Sequence, residues 1–163
     1  MRSLILIKVI GLLICQSISV AAKSFDYSIY TNSRFGFSVR VPKSSEAEPE
    51  SSNGDGRKFT TDGGQLKVTA WGDNNVFDQT SRERYQELID ELRQGKRVIL
   101  SKTVSLNSYS VVWISGDKVS RQRSTVGSGK WSSVLVEYPN SQKSTFESVA
   151  KAICASLTPP KGG

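Results

Sequence analysis

Past residue 22 the chain alternates short runs of period two with two longer runs of helical spacing. Phe25–Tyr30 and Gly36–Val41 flank the turn-prone Asn32-Ser33-Arg34. In the second run Phe37, Val39 and Val41 alternate with Ser38 and Arg40, the pattern of a half-buried strand. Pro42 ends it. Lys43–Gly56 is rich in Ser, Glu, Pro and Gly with no period, and reads as a loop. Arg57–Thr61 and Gln65–Trp71 form a hairpin across Asp62-Gly63-Gly64, whose glycines supply the positive φ a tight turn needs.

The period then changes. Thr80 and Glu83 have the spacing of a capping box, and Tyr85, Leu88, Ile89 and Leu92 follow at i, i+3, i+4 and i+7, with Gly95 to close the helix. Its other face carries Arg82, Arg84, Glu87, Asp90 and Arg93, a solvated surface. Four further strands are expected over Arg97–Leu106, Tyr109–Gly116, Lys118–Val126 and Lys130–Tyr138, with Gly127-Ser128-Gly129 as the last hairpin turn. Connections this short demand antiparallel neighbours. Ser144 and Glu147 are spaced for a second capping box, followed by the stripe Phe146, Val149, Ala150, Ile153 and Leu157. Pro159-Pro160 stops that helix. The expected class is α+β, a mostly antiparallel sheet whose apolar faces are covered by amphipathic helices.

Residues 1–22 have the layout of a cleavable secretory signal. Arg2 and Lys8 begin it, Val9–Ile14 form a short apolar middle, and Val20-Ala21-Ala22 place small residues at the exit, leaving Lys23 as the new N-terminus. Gln16, Ser17 and Ser19 interrupt the run, which falls short of the roughly 20 apolar residues a membrane span needs. Ile14 before Cys15 does not suit a lipoprotein cleavage site. Cleavage leaves 141 of 163 residues, and the loss of Arg2 and Lys8 lowers the formal net charge from +7 to +5. The expected organisation is a signal peptide over 1–22, a single domain over 23–158, a flexible tail over 159–163, no transmembrane segment in the mature chain, and location in the periplasm or outside the cell. Cys154 alone survives cleavage, so packing without an internal disulfide must hold the fold.

Tyr30-Thr31-Asn32-Ser33-Arg34-Phe35-Gly36-Phe37-Ser38-Val39-Arg40-Val41-Pro42 resembles the opening of PsbP-like domains: an aromatic, a turn, Phe-Gly-Phe-Ser-Val, and a proline closing the strand. The later order is similar too, a hairpin, a helix near residue 80, a strand run, and a C-terminal helix after Tyr138-Pro139. Asn53-Gly54-Asp55-Gly56-Arg57 with Phe59 and Asp62-Gly63 resembles bacterial envelope proteins of this type. The resemblance implies an antiparallel sheet between helices and a module that binds other proteins. It carries over no catalytic residues and no particular partner.

Candidate chemistry is narrowed by composition. No histidine is present, which removes Ser-His and Cys-His dyads and His-based zinc sites. Asn53-Gly54-Asp55-Gly56 has the flavour of a calcium loop, but Arg57 puts a cation where an oxygen ligand belongs and no bidentate Glu follows at the required place. Ser148-Val149-Ala150-Lys151 lacks the companion motifs of penicillin-recognising enzymes. In Gly127-Ser128-Gly129-Lys130 a tryptophan, Trp131, occupies the position of the magnesium-binding hydroxyl of a phosphate loop. The expectation is no metal and no cofactor.

The basic residues are more informative. Lys118, Arg121, Arg123 and Lys130 fall on two neighbouring expected strands, with Trp113 and Trp131 nearby, and are expected to cluster as a binding surface. Such interleaving suits nucleic acid, which an exported protein does not ordinarily meet. An acidic protein or an anionic envelope surface fits better. The expected function is a non-catalytic protein-binding module of the cell envelope: an adaptor, an accessory, or an inhibitor or immunity-type protein. The alternatives are a binder of anionic envelope polymers and a hydrolase using Asp55, Asp62 and Asp73. A solvated strand face with inward tryptophans explains the same residues without any partner.

Overall fold

The computed structural model describes residues 25–161; the expected signal peptide, with Cys15 and Lys23, lies outside them. Strands β1 (Tyr27–Thr31) and β2 (Ser38–Pro42) form a separate antiparallel hairpin. The main sheet has seven strands in the order β3-β4-β5-β9-β8-β7-β6. These are β3 (Glu46–Ala47), β4 (Gly56–Thr61), β5 (Leu66–Asn74), β6 (Val98–Val104), β7 (Ser108–Ser115), β8 (Lys118–Gly127) and β9 (Lys130–Pro139). Every pairing is antiparallel. Helix α1 (Ser81–Gln94) enters between β5 and β6, and α2 (Lys143–Ala155) follows β9. The α+β class expected from periodicity is the class observed, with one addition: the unperiodic stretch after Pro42 contains the two-residue β3.

Strand alternation divides the core in two. On one face Leu66, Val68, Val119, Val134, Val136 and Tyr138 pack with Phe146, Val149 and Ile153 of α2 and with Phe37 and Val39 of the β1–β2 hairpin. On the other, Tyr109, Val111, Trp113 and Trp131 pack with Ile89 and Leu92 of α1. Trp131 is fully buried and Trp113 nearly so, so both indoles point inward. Two glycines permit close geometry. Ser128 (φ 50°) and Gly129 (φ 67°) make the tight β8–β9 turn, which needs positive φ at both central positions. At Gly72 a Cβ would stand 2.4 Å from Cγ of Phe35, so only glycine lets that ring lie on β5.

Of the two capping boxes expected from spacing, one forms and one does not. Thr80 and Glu83 form the reciprocal capping box, with the Thr80 N–H donating to Glu83 Oε2 at 2.8 Å. The Ser144–Glu147 box does not form. A 3-10 turn over Asn140–Gln142 starts the helical path earlier, Gln142 takes the N-cap position without a side-chain bond, and Ser144 is already inside α2. Glu147 is drawn instead to the sheet. The expected tail is likewise docked as far as Lys161. Pro160 is buried, and the Lys161 N–H donates to the Phe35 carbonyl at 3.2 Å.

Candidate functional site

The four basic residues singled out by sequence do not form one cluster. Register places Arg121 opposite Val136 and Arg123 opposite Val134, so both project on the α2 face. Lys130 belongs to that face as well, its Nζ 5.9 Å from the centroid of the Phe35 ring. It lies four residues along β9 from Val134, roughly 13 Å at the usual strand rise. Lys118 is an odd number of residues from one and the same parity class of Arg121 and Arg123, which turns it to the α1 face, where its Nζ sits 3.5 Å from Glu137. The expectation of a four-residue patch fails on the strand period alone.

Arg121 and Arg123 then differ sharply. The Arg121 side chain is 13% exposed, and its Nη2 donates to Glu147 Oε1 at 2.6 Å. Glu147 also accepts from the Tyr138 hydroxyl and lies 3.4 Å from Lys151 Nζ. Burial by itself would raise the Glu147 carboxyl. The Tyr138 bond, the Arg121 charge and Lys151 outweigh it and hold the carboxyl below its ordinary value. Tyr138 moves the other way, raised first by burial and then by its bond to the carboxylate. Cys154 beneath them is pushed up to about 12, mainly by burial, so its thiol stays protonated at neutral pH. Arg121 is therefore part of a helix-to-sheet lock.

Arg123 has no hydrogen bond or ion pair to its side chain among the described residues, and its Nε is buried without a partner. It flanks Ser110 of β7, on the margin where α2 ends its cover of the sheet. Beyond that margin β6 is open. Val98 is 59% exposed, Leu100 is 42% exposed, and Ser101, Lys102 and Thr103 are exposed. Sequence patterning counted this strand but could not show that it ends the sheet, with α1 packing on one face and no strand along its outer edge among the described residues. The available signal was charge: no Asp or Glu occurs between Gly95 and Gly116.

The carboxylates considered for hydrolysis are dispersed. Asp55 pairs with Arg34 at 2.7 Å, and Asp73 accepts both Arg84 guanidinium nitrogens at 2.6 and 2.7 Å. The same Arg84 group lies 5.0 Å above the Trp131 ring. Asp62 occupies the β4–β5 turn, at the far end of that hairpin from both. Among the described residues no three His, Cys, Asp or Glu side chains converge on a metal position. In the Asn53–Arg57 loop it is the Arg34 guanidinium that meets the Asn53 carbonyl and the Asp55 carboxylate.

No family model matches the chain, and no curated protein matches it. Solved structures do. The solution structure of cyanobacterial PsbP (CyanoP) from Synechocystis sp. PCC 6803 superposes with a TM-score of 0.58 at 12% identity, over 88% of this chain and 98% of that one. At that identity the likeness speaks for architecture, and it agrees with the Tyr30–Pro42 resemblance. The chain has the PsbP fold.

Proposed function

We propose that this protein is an exported binding module without a catalytic role, which grips a protein partner on the β7–β8 margin beside α2. The carrying observation is Arg123, a half-buried guanidinium with a buried, unpartnered Nε and no ion pair among the described residues. Such a group leaves one desolvated donor and its charge unmatched, and an incoming carboxylate would match the charge. Its neighbour Arg121 supports the assignment by contrast at the charge: its Nε is also buried without a partner, but the fold supplies its Nη2 with Glu147. The PsbP fold supports a binding role only at the level of the resemblance, and the signal-like layout of residues 1–22 supports export. A partner of the periplasm or the extracellular space is the corresponding class.

The test uses Arg123→Glu in the mature chain and capture from a cell-envelope extract at low and moderate salt. The variant keeps the wild-type circular dichroism spectrum and loses the captured protein, and wild-type capture weakens as salt rises. Equal capture by the folded variant moves the interface elsewhere. Retention of a polysaccharide or lipid in place of a protein favours the polyanion reading, to which Lys130 and Lys161 on neighbouring surface would contribute. Mass spectrometry of the envelope form checks export, with Lys23 at the N-terminus as the expected result.

A further inference from the structure

The sheet has two edges, and they are finished differently. At one, β3 is two residues long and the chain runs on from it into the 48–55 loop, with the Glu48 N–H still bonded to the Lys58 carbonyl. At the other, β6 is seven residues long and pairs only with β7. An edge of that length offers a row of main-chain donors and acceptors to another strand. On it Val98 and Leu100 expose aliphatic surface to water.

Charge selects the partner. From Gly95 to Val136 the chain has seven cations (Lys96, Arg97, Lys102, Lys118, Arg121, Arg123 and Lys130) against the single acid Asp117. Glu137 and Glu147 engage Lys118 and Arg121. Lys96, Arg97 and Lys102, at or beside β6, have no ion pair among the described residues. Two copies of β6 laid together would bring these like charges near one another. The bulge between Ile99 and Ser101 also breaks the regular edge. Both features act against self-pairing. Neither opposes a strand that brings acids of its own.

We infer that β6 accepts an extended acidic segment of the partner protein as an eighth strand of the sheet, a mode that rests on the protein-binding reading above. Main-chain bonds along the edge provide affinity, and alternating side chains provide selection. Register with Val111 turns Lys102 to the α1 face, so acids at every second position of the segment meet it there. The intervening apolar residues extend the Val98 side, which pairs with Ile114 and faces α2. Arg123 lies two strands inward, about 10 Å from β6 at the usual strand spacing. It therefore meets the body of the partner lying over the sheet rather than the added strand.

The probe is a fluorescein-labelled peptide of four Val-Glu repeats, titrated against the mature protein and followed by anisotropy and by amide exchange. Two further peptides are N-methylated at all Val or at all Glu positions. Successive N–H groups of a strand point to opposite sides, so one methylation phase abolishes pairing while the other leaves it intact. The expected result is saturable binding, a loss of at least tenfold in one methylated peptide only, and slowed exchange across Val98–Val104. Lys102→Glu weakens the unmethylated peptide at least tenfold. Equal binding of all three peptides means attraction by charge alone and overturns the inference, as does no binding. A concentration-dependent dimer that protects β6 without peptide overturns it too, because the edge would be occupied by a second copy. If the peptides fail while envelope capture persists and still depends on Arg123, the added strand is lost and the protein-binding reading stands. If capture fails as well, both fall.

Discussion

Arg121 and Arg123 share a strand, a face and a residue type, yet the molecule uses them in opposite ways. Arg121 lies under α2 and closes on Glu147 at 2.6 Å, with the Tyr138 hydroxyl on the same carboxylate. Arg123, one alternation further, lies at the edge of the helix and has no ion pair among the described residues. The difference is one of cover. Beneath the helix the Arg121 charge is matched from within by Glu147, although its Nε remains without a partner. At the margin of that helix the remaining match is left open to another molecule. A basic stripe on a strand is thus two things at once, a structural lock and a half-buried cation without an ion pair among the described residues, and charge counting treats them alike.

The largest effect that could break this contrast is charge reversal. Arg121→Glu sets two carboxylates against each other in a partly buried site, and is expected to cost about 2–4 kcal/mol, near the range for a broken buried pair. Arg123→Glu is expected to cost less than about 1 kcal/mol, as changes at partly exposed positions do. Urea unfolding of the two variants measures both, and similar losses would erase the distinction. The contrast sharpens in a double replacement. Arg121→Met alone leaves Glu147 without its main cation. Arg121→Met with Glu147→Leu is expected to recover to within about 1 kcal/mol of wild type, since apolar packing often replaces a buried pair at little cost.

A smaller effect belongs to Tyr138→Phe, which removes one donor to the Glu147 carboxylate and is expected to cost about 1–2 kcal/mol. The same change at a site coupled only to Arg123 has no counterpart, so the asymmetry itself is the readout.

The finest test is pH. The Glu147 carboxyl is held below its ordinary value in the fold, so its contribution is present above the unfolded value of 4.5 and drains away as pH falls through the folded one. The acid limb of the stability curve should therefore flatten in the Arg121→Met, Glu147→Leu protein and be nearly unchanged in Arg123→Gln, which adds no titrating group. On the alkaline side the sign reverses. Cys154 binds its proton more tightly folded than unfolded, so its contribution is full below pH 9.0 and declines up to about 12. Consistent with that, the thiol should resist alkylation at pH 8 until the chain is unfolded.

Much of the architecture was legible before any coordinates. Alternation at Phe37, Val39 and Val41, the Asp62-Gly63-Gly64 and Gly127-Ser128-Gly129 turns, and the Thr80–Glu83 box all depend on residues a few positions apart. Each appears where it was expected, with strand ends shifted by up to three residues. The second box shows where local spacing stops being enough. Ser144 and Glu147 satisfy its spacing, but Glu147 gains more from a sheet arginine and a tyrosine hydroxyl than from a helix N-terminus exposed to water. The basic site was legible in composition but not in partition. Strand parity alone would have separated Lys118 from Arg121 and Arg123, since an odd spacing reverses the face. No spacing indicates that Arg121 lies beneath α2.

By itself, then, the sequence determined the elements, their antiparallel pairing through short turns, and the two apolar faces, because periodicity and turn chemistry act over a few residues and bind each strand to its successor. It also determined the lack of acids between Gly95 and Gly116, a property of composition. Only the tertiary structure decided which strand became the open edge, which arginine met Glu147, and that Arg123 has no ion pair among the described residues. Those outcomes depend on the insertion of β9 between β5 and β8 and on where α2 lies across the sheet. Both join residues far apart in the chain, whose meeting is governed by how the layers bury apolar surface together rather than by any local pattern.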